Sequence, residues 1–205
     1  MPKAQTLEPR RRPTAGPARK TVERILASTA ELLDDVGFDD LNTNLIAEHA
    51  NVNVASVYKY FPNKYAVLTA LADSMRDMQL ELLSERLEAQ GDWRGELGAL
   101  LDAYVELFIS RPGFATLAAV LASSPSLREI DQASLAAEAR LIAERLVDYG
   151  IEEKRADREA MARVMLEAAR GVLPLVRLAG PAGRKRLTRE LRRMLEAYLA
   201  GYIEE

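Results

Sequence analysis

Residues 42–64 read NTNLIAEHANVNVASVYKYFPNK. Three asparagines punctuate this stretch where helices should begin. Asn42 suits the N-cap of a helix over about 43–50, because its side-chain oxygen can accept from the free backbone N–H groups of a first turn. Asn53 is placed in the same way before a helix at about 54–60, and Asn63 before a longer one that starts at Lys64. Leu41 with Ile46, and Val52 with Val57, bracket the first two starts as hydrophobic staple pairs. Asn51 falls where the chain must turn through a left-handed residue, which Asn tolerates better than most. The stretch therefore predicts two short helices joined by a tight turn.

The second short helix has an outer face that fits duplex DNA. Val57 and Phe61 point inward, whereas Asn53, Val54, Ala55, Ser56, Tyr58 and Lys59 point outward. Small residues permit close approach to base edges, and Val54 and Ala55 can touch a thymine methyl. Tyr58 and Tyr60 can donate to phosphates, as can Thr43, while Asn44 can reach an adenine edge. Lys64 stands in the first turn of a helix, where the dipole disfavours a cation. A phosphate would explain it, since the ammonium and the free N–H groups can share one anion. A solvated lysine is tolerated there at a cost of a few tenths of a kcal/mol.

Outward from this stretch, almost every segment has helical period and strand-like alternation is essentially absent, so the fold class is all-α. Upstream, Val22, Ile25, Leu26, Thr29, Leu33 and Val36 share one face of a helix over about 20–36, which Gly37 ends in a left-handed conformation. Downstream, the helix from Lys64 extends to about 89. Further helices are expected at about 94–110, 113–123, 126–149, 153–178 and 182–203, separated by Pro and Gly breaks.

Composition narrows the function classes. Of 205 residues, 48% are hydrophobic and 29% charged, an ordinary globular balance with ample core. With no cysteine and one histidine, His49, the chain has no thiol chemistry, no Cys-based zinc site, no Glu-x-x-His di-metal pairs and no Ser/His or Cys/His dyad. An enzyme, a metal site and a cofactor are not expected. No apolar run reaches about 18 residues, so no membrane span is expected, and without a signal-peptide core the expected location is cytoplasmic.

The net charge of −3 is unevenly distributed. Residues 1–20 carry six basic groups against Glu8, or +5, and the rest of the chain carries −8. This Pro-rich segment is expected to be a disordered arm over 1–19. Its charge fits a polyanion partner and equally a solubilising tail.

The stretch from about Arg24 to Ala72 resembles the TetR (tetracycline-repressor-like) family of bacterial transcriptional regulators. Ile25-Leu26, Ala30-Glu31-Leu32, Gly37-Phe38, Ile46-Ala47, Asn51-Val52-Asn53 and Val57-Tyr58-Lys59-Tyr60-Phe61-Pro62-Asn63-Lys64 carry the resemblance, the last string most specifically. Glu190 to Leu199 is similar to that family's last helix. Three positions depart from the pattern. Asn51 stands where Gly is usual, Ala55-Ser56 where Gly-Thr is usual, and Asn42 where Ser or Thr is usual. All three replacements can keep the local geometry; Ala55 adds a methyl at the DNA surface, which puts the operator sequence, not DNA binding itself, in question.

The resemblance implies a three-helix helix-turn-helix head over 20–66, joined by a long helix to a larger effector-binding and dimerisation body over 67–205. It implies phosphate contacts at Thr43, Tyr58, Tyr60 and Lys64, and base contacts at Asn44, Asn53, Val54 and Ser56. Arg10, Arg11 and Arg12 can add contacts from the arm. The implied partners are double-stranded operator DNA, a second copy of the chain and a small effector.

A homodimer through the last two helices would use the apolar stripes Met161, Val164, Met165, Ala168, Val172, Val176 and Leu191, Leu195, Tyr198, Leu199. Stripes of this spacing serve equally as intrachain core, and both readings stand. Candidates for an effector pocket are Met75, Met78, Trp93, Tyr104, Phe108, Phe114, Leu117, Met165 and Leu166, residue types that suit a plastic apolar site. Few charges interrupt that region, which favours a hydrophobic effector. Arg111, Arg140 and Arg170 can meet a carboxylate if one points inward. A DNA-binding architectural protein without an effector shares the same head.

Overall fold

The structure, a computed structural model, describes residues 6–11, 13, 15–87 and 92–203. Its elements are ten α-helices among the described residues: α1 Gly16–Asp35, α2 Gly37–Asp40, α3 Thr43–His49, α4 Val54–Tyr60, α5 Lys64–Leu87, α6 Trp93–Ser110, α7 Phe114–Ser123, α8 Arg128–Asp148, α9 Arg155–Leu178 and α10 Pro181–Ala200. The all-α expectation holds, and no single helix among the described residues is long and apolar enough to cross a membrane.

The local signals act where they were expected. Asn42 accepts from Asn44 N and Leu45 N, Asn53 from Ala55 N, and Asn63 from Ala66 N. Gly37 and Asn51 both take positive φ, at 75° and 50°. Two details differ. The first helix begins at Gly16, four residues early, because Pro17 occupies a first-turn position whose N–H has no helical partner to lose. A single extra turn, α2, begins at Gly37, in a stretch for which the sequence reading named no helix.

The chain forms two compact units. The first takes the residues up to Arg76 together with Pro112–Asp131. In its core α1, α3 and α4 pack around Ile25, Leu33, Leu41, Ile46, Val57, Phe61 and Leu68, all nearly inaccessible to solvent. Each such side chain contributes about 1.5–3 kcal/mol by leaving water. Helix α7 belongs to this unit and packs on α1. The Asp34 carboxylate, at the end of α1, accepts from Gly113 N (2.9 Å) and Thr116 Oγ1 (2.5 Å) and so caps the start of α7. This grouping differs from a boundary at 66/67: α5 runs unbroken through that point, and 112–131 join the head instead of the body.

The second unit holds Asp77–Arg111 and the residues from Gln132 onward. In it α10 packs on α9 and α6, and α6 on α9. Two buried carboxylates are held by explicit partners. Glu96 accepts from Arg145 at 2.8 Å and from the Tyr149 hydroxyl, and Glu138 accepts from the Tyr104 hydroxyl at 2.7 Å and from Ser134 at 3.4 Å. Burial and the adjacent Glu138 charge hold the Tyr104 phenol well above its ordinary pKa, and burial with the Glu96 bond pushes Tyr149 up to about 12. Both phenols therefore stay protonated and act as donors.

Candidate nucleic-acid interface

The turn between α3 and α4 closes α3 with a Schellman motif. Val52 N donates to Ala47 O and Asn51 N to Glu48 O, both at 3.0 Å, with Asn51 as the left-handed residue. This double closure sets the angle at which α4 leaves. Helix α4 then buries Val57 and Tyr60 and turns Asn53, Ala55, Tyr58 and Lys59 to solvent, with Val54 and Ser56 half-buried. Asn44, in the first turn of α3, is exposed as well. The base-contact candidates Asn44, Asn53, Val54 and Ser56 thus all keep solvent access.

The phosphate candidates divide. Thr43 Oγ1 and the Tyr58 hydroxyl stand 2.9 Å apart and form one polar cluster. Tyr60 is corrected: only 5% exposed against 42% for Tyr58, it falls three residues after Val57 on the inward face of α4, and its ring is core. Lys64 needs a different account from the one its sequence position suggested. Its ammonium donates to Phe38 O (2.8 Å) and Asp39 O (3.3 Å) and lies 4.4 Å from the centre of the Phe38 ring. The carbonyls of α2 therefore give this lysine a local structural reason. An ammonium has three N–H donors and these bonds use two.

Arg10 is also engaged within the head. Its backbone N donates to Tyr60 O (2.7 Å) and its Nη1 to Tyr58 O (3.1 Å), so this part of the arm, expected to be disordered, lies against the end of α4. Arg11 is exposed, and Arg12 lies outside the described residues. His49 is exposed at the end of α3, 3.7 Å from Glu31.

The body candidates also separate. Tyr104, Phe108, Met165 and Leu166 are buried in the second unit, where Met78 and Trp93 are half-buried. Met75, Phe114 and Leu117 are buried in the first. None of the nine lines either of two open clefts in the second unit. One, of about 450 Å³, includes Leu82, Arg86, Asp102, Glu106, Leu107 and Arg111; the other, of about 520 Å³, lies between α8 and α9 and includes Arg140, Arg155, Glu159 and Arg163.

Of the dimer candidates, Met161, Val176, Leu191, Leu195 and Leu199 are already buried within the single chain, in which α9 and α10 pack on each other. Ala168, Val172 and Tyr198 are half-buried, and Val164 is 55% exposed. The sequence reading missed Leu175 (53% exposed), Leu178 (81%) and Met194 (48%). Val164, Ala168, Gly171, Leu175 and Leu178 repeat at steps of four and three, the spacing of a coiled-coil seam.

Comparison with known proteins supplies the context. Residues 25–71 match the family model "Bacterial regulatory proteins, tetR family", and residues 92–199 match "Tetracyclin repressor-like, C-terminal domain". Tetracycline repressor protein class G of Vibrio anguillarum is 39% identical over 71 residues, which is 34% of this chain and 32% of that protein. The regulator EthR of Mycobacterium tuberculosis is 32% identical over 108 residues, 49% of this chain and 50% of that protein. The matched part thus spans a third to a half of these curated relatives. A crystal structure of a TetR-family transcriptional regulator from Streptomyces coelicolor is 31% identical, covering 89% of this chain and 99% of that one at a TM-score of 0.70. A complex of SmeT with triclosan shares the fold at 21% identity, covering 91% of this chain and 93% of that one at a TM-score of 0.69.

Proposed function

This chain belongs to the TetR family of bacterial regulators, and on that premise we propose that it is a sequence-specific DNA-binding transcriptional regulator, a repressor released from its operator by a small hydrophobic effector. The observation that carries the DNA-binding part is the arrangement around α4. A capped, Schellman-set helix turns a small polar face outward, and at its flank the paired hydroxyls of Thr43 and Tyr58 stand ready for one phosphate. The N-terminal residues of α4 enter the major groove, where Asn53, Val54 and Ser56 meet base edges, and Asn44 reaches across from α3. Lys64 adds its remaining donor to the backbone contacts.

One head reads one half-site. Two copies, joined through the apolar seam of α9 together with Met194 on α10, read two half-sites about 34–36 Å apart or a multiple of that distance. The buried aromatic and methionine side chains of the second unit, and the triclosan held by SmeT, favour an apolar effector. Such a molecule acts by binding one spacing of the heads better than the other.

The test is selection of duplexes from a random library by the full chain. An inverted repeat with that half-site spacing is expected, with affinity falling steeply as salt rises. Failure to enrich any sequence would remove the DNA-binding reading. For the effector, small apolar compounds that raise the melting temperature are expected to release the selected duplex. Saturating ligand that leaves affinity for the duplex unchanged would remove that part alone.

A further inference from the structure

Helix α4 ends with C=O groups that have no intrahelical partner, at the negative end of its dipole. Two of them are taken by one residue of the N-terminal segment, since Arg10 gives its backbone N–H to Tyr60 O and its guanidinium to Tyr58 O. A second tie lies four residues back, where Asn63 Nδ2 donates to Thr6 O at 3.1 Å. The same Asn63 caps α5 through Ala66 N. The segment from Thr6 to Arg10 is therefore fastened on both sides of the Phe61-Pro62 link that joins α4 to α5. A solubilising tail has no need of such register.

Arg10 commits its backbone N–H and its Nη1 to the helix, which fixes where the next residue leaves. Arg11 is exposed and follows it at one Cα–Cα step, about 3.8 Å. Helix α4 has seven residues, hence a length of about 10 Å, against a major groove about 12 Å wide. A cation delivered at the C-terminal end of α4 stands at the edge of the groove, where the sugar-phosphate backbone of the flanking base pairs begins.

Building on the DNA-binding reading, we propose that Thr6–Arg11 is a further DNA-contacting element, in which Arg10 is a positioning clasp and Arg11 is the group that meets flanking backbone. The ligand chemistry is a duplex phosphate outside the half-site, so the length of the flank matters and its sequence does not.

The test uses the full chain and its selected site, once within a long duplex and once in a duplex cut at the outer edges of the half-sites. Wild type is expected to lose about tenfold on the cut duplex, the scale of one or two charge-assisted hydrogen bonds. Arg11→Ala should lose about as much on the long duplex and nothing further on the cut one. Arg10→Ala should show the same pattern, and Arg10→Lys should recover part of it. Replacing G·C flanks by A·T flanks should change nothing; a strong A·T preference that vanishes in Arg11→Ala would overturn the phosphate assignment in favour of minor-groove reading. Equal losses on both duplexes for Arg10→Ala would reduce the clasp to support for α4. A wild type indifferent to flank length would overturn the proposal while leaving the regulator reading in place. A wild type that selects no site would end both.

Discussion

The side-chain oxygens of Thr43 and Tyr58 lie 2.9 Å apart, one from the first turn of α3 and the other from the middle of α4. In the free protein one hydroxyl donates to the other, which keeps its own O–H to give. A phosphate oxygen placed between them can accept from both at no cost in side-chain ordering, because the pair is already held.

Thr43→Val and Tyr58→Phe should therefore each weaken binding to specific and random duplexes alike, by about tenfold or less. The double variant should lose less than the two single losses combined, since either change alone breaks the shared site. Titration by fluorescence anisotropy on both duplexes checks this. Fully additive losses would mean two separate contacts.

Lys64 carries two roles that one variant can separate. Its bonds to Phe38 O and Asp39 O hold α2 against the start of α5. Lys64→Met keeps most of the stem and removes the charge, so the head should lose about 1–2 kcal/mol, the scale of a charge-assisted bond. If the third donor also meets a phosphate, the slope of log affinity against log salt should fall by about one. A lower melting temperature with an unchanged slope would leave Lys64 as a purely structural residue.

How much of this was legible follows from the range of each interaction. Caps and left-handed residues act within a few positions, so Asn42, Asn51, Asn53 and Asn63 could be read directly. Tyr60 was misassigned, and the α9–α10 stripes were left between dimer interface and intrachain core, because period reveals an apolar face and not what covers it. Met161 and Val176 are buried within the chain, while Leu175 and Leu178, equally apolar, stay exposed. One long-range contact did leave a trace. Asp34 stands at the C-terminal end of a helix, where the dipole disfavours a carboxylate. The same argument that drew attention to Lys64 would have asked what Asp34 binds, and the answer is the start of α7.

Asn51 has φ of 50°, a conformation that costs most side chains about 1–2 kcal/mol. Asn51→Gly should leave stability within about 1 kcal/mol of wild type, because relief of strain and the greater freedom of the unfolded chain nearly offset. Asn51→Val should lose about 2 kcal/mol and loosen α4. Urea denaturation followed by circular dichroism checks the series, and a valine variant as stable as wild type would contradict the geometry.

Gly113 and Gly150 share positive φ, at 71° and 85°, in different surroundings. A Cβ at Gly150 meets nothing within 4 Å, whereas one at Gly113 would overlap the backbone of Ala30. Gly150→Ala should cost only strain, about 1–2 kcal/mol. Gly113→Ala should cost about 3 kcal/mol or more, because α7 must withdraw from α1 and give up the Asp34 cap. Equal melting temperatures for the two variants would show that the close approach of α7 to α1 carries no energy.

The exposed seam of α9 makes the last prediction. Leu175 and Leu178 are more than half exposed, so a charge at either position disturbs little within one chain. In a four-helix packing with a second copy the same charge would be buried without a partner, at a cost of several kcal/mol. Leu175→Glu should therefore halve the mass seen by analytical ultracentrifugation at micromolar concentration while the helical circular dichroism persists. Affinity for a single half-site should change little, and affinity for the full inverted repeat should fall at least a hundredfold, on the order of the roughly 3 kcal/mol that such an uncompensated charge costs. A variant that stays dimeric would place the interface elsewhere on the chain.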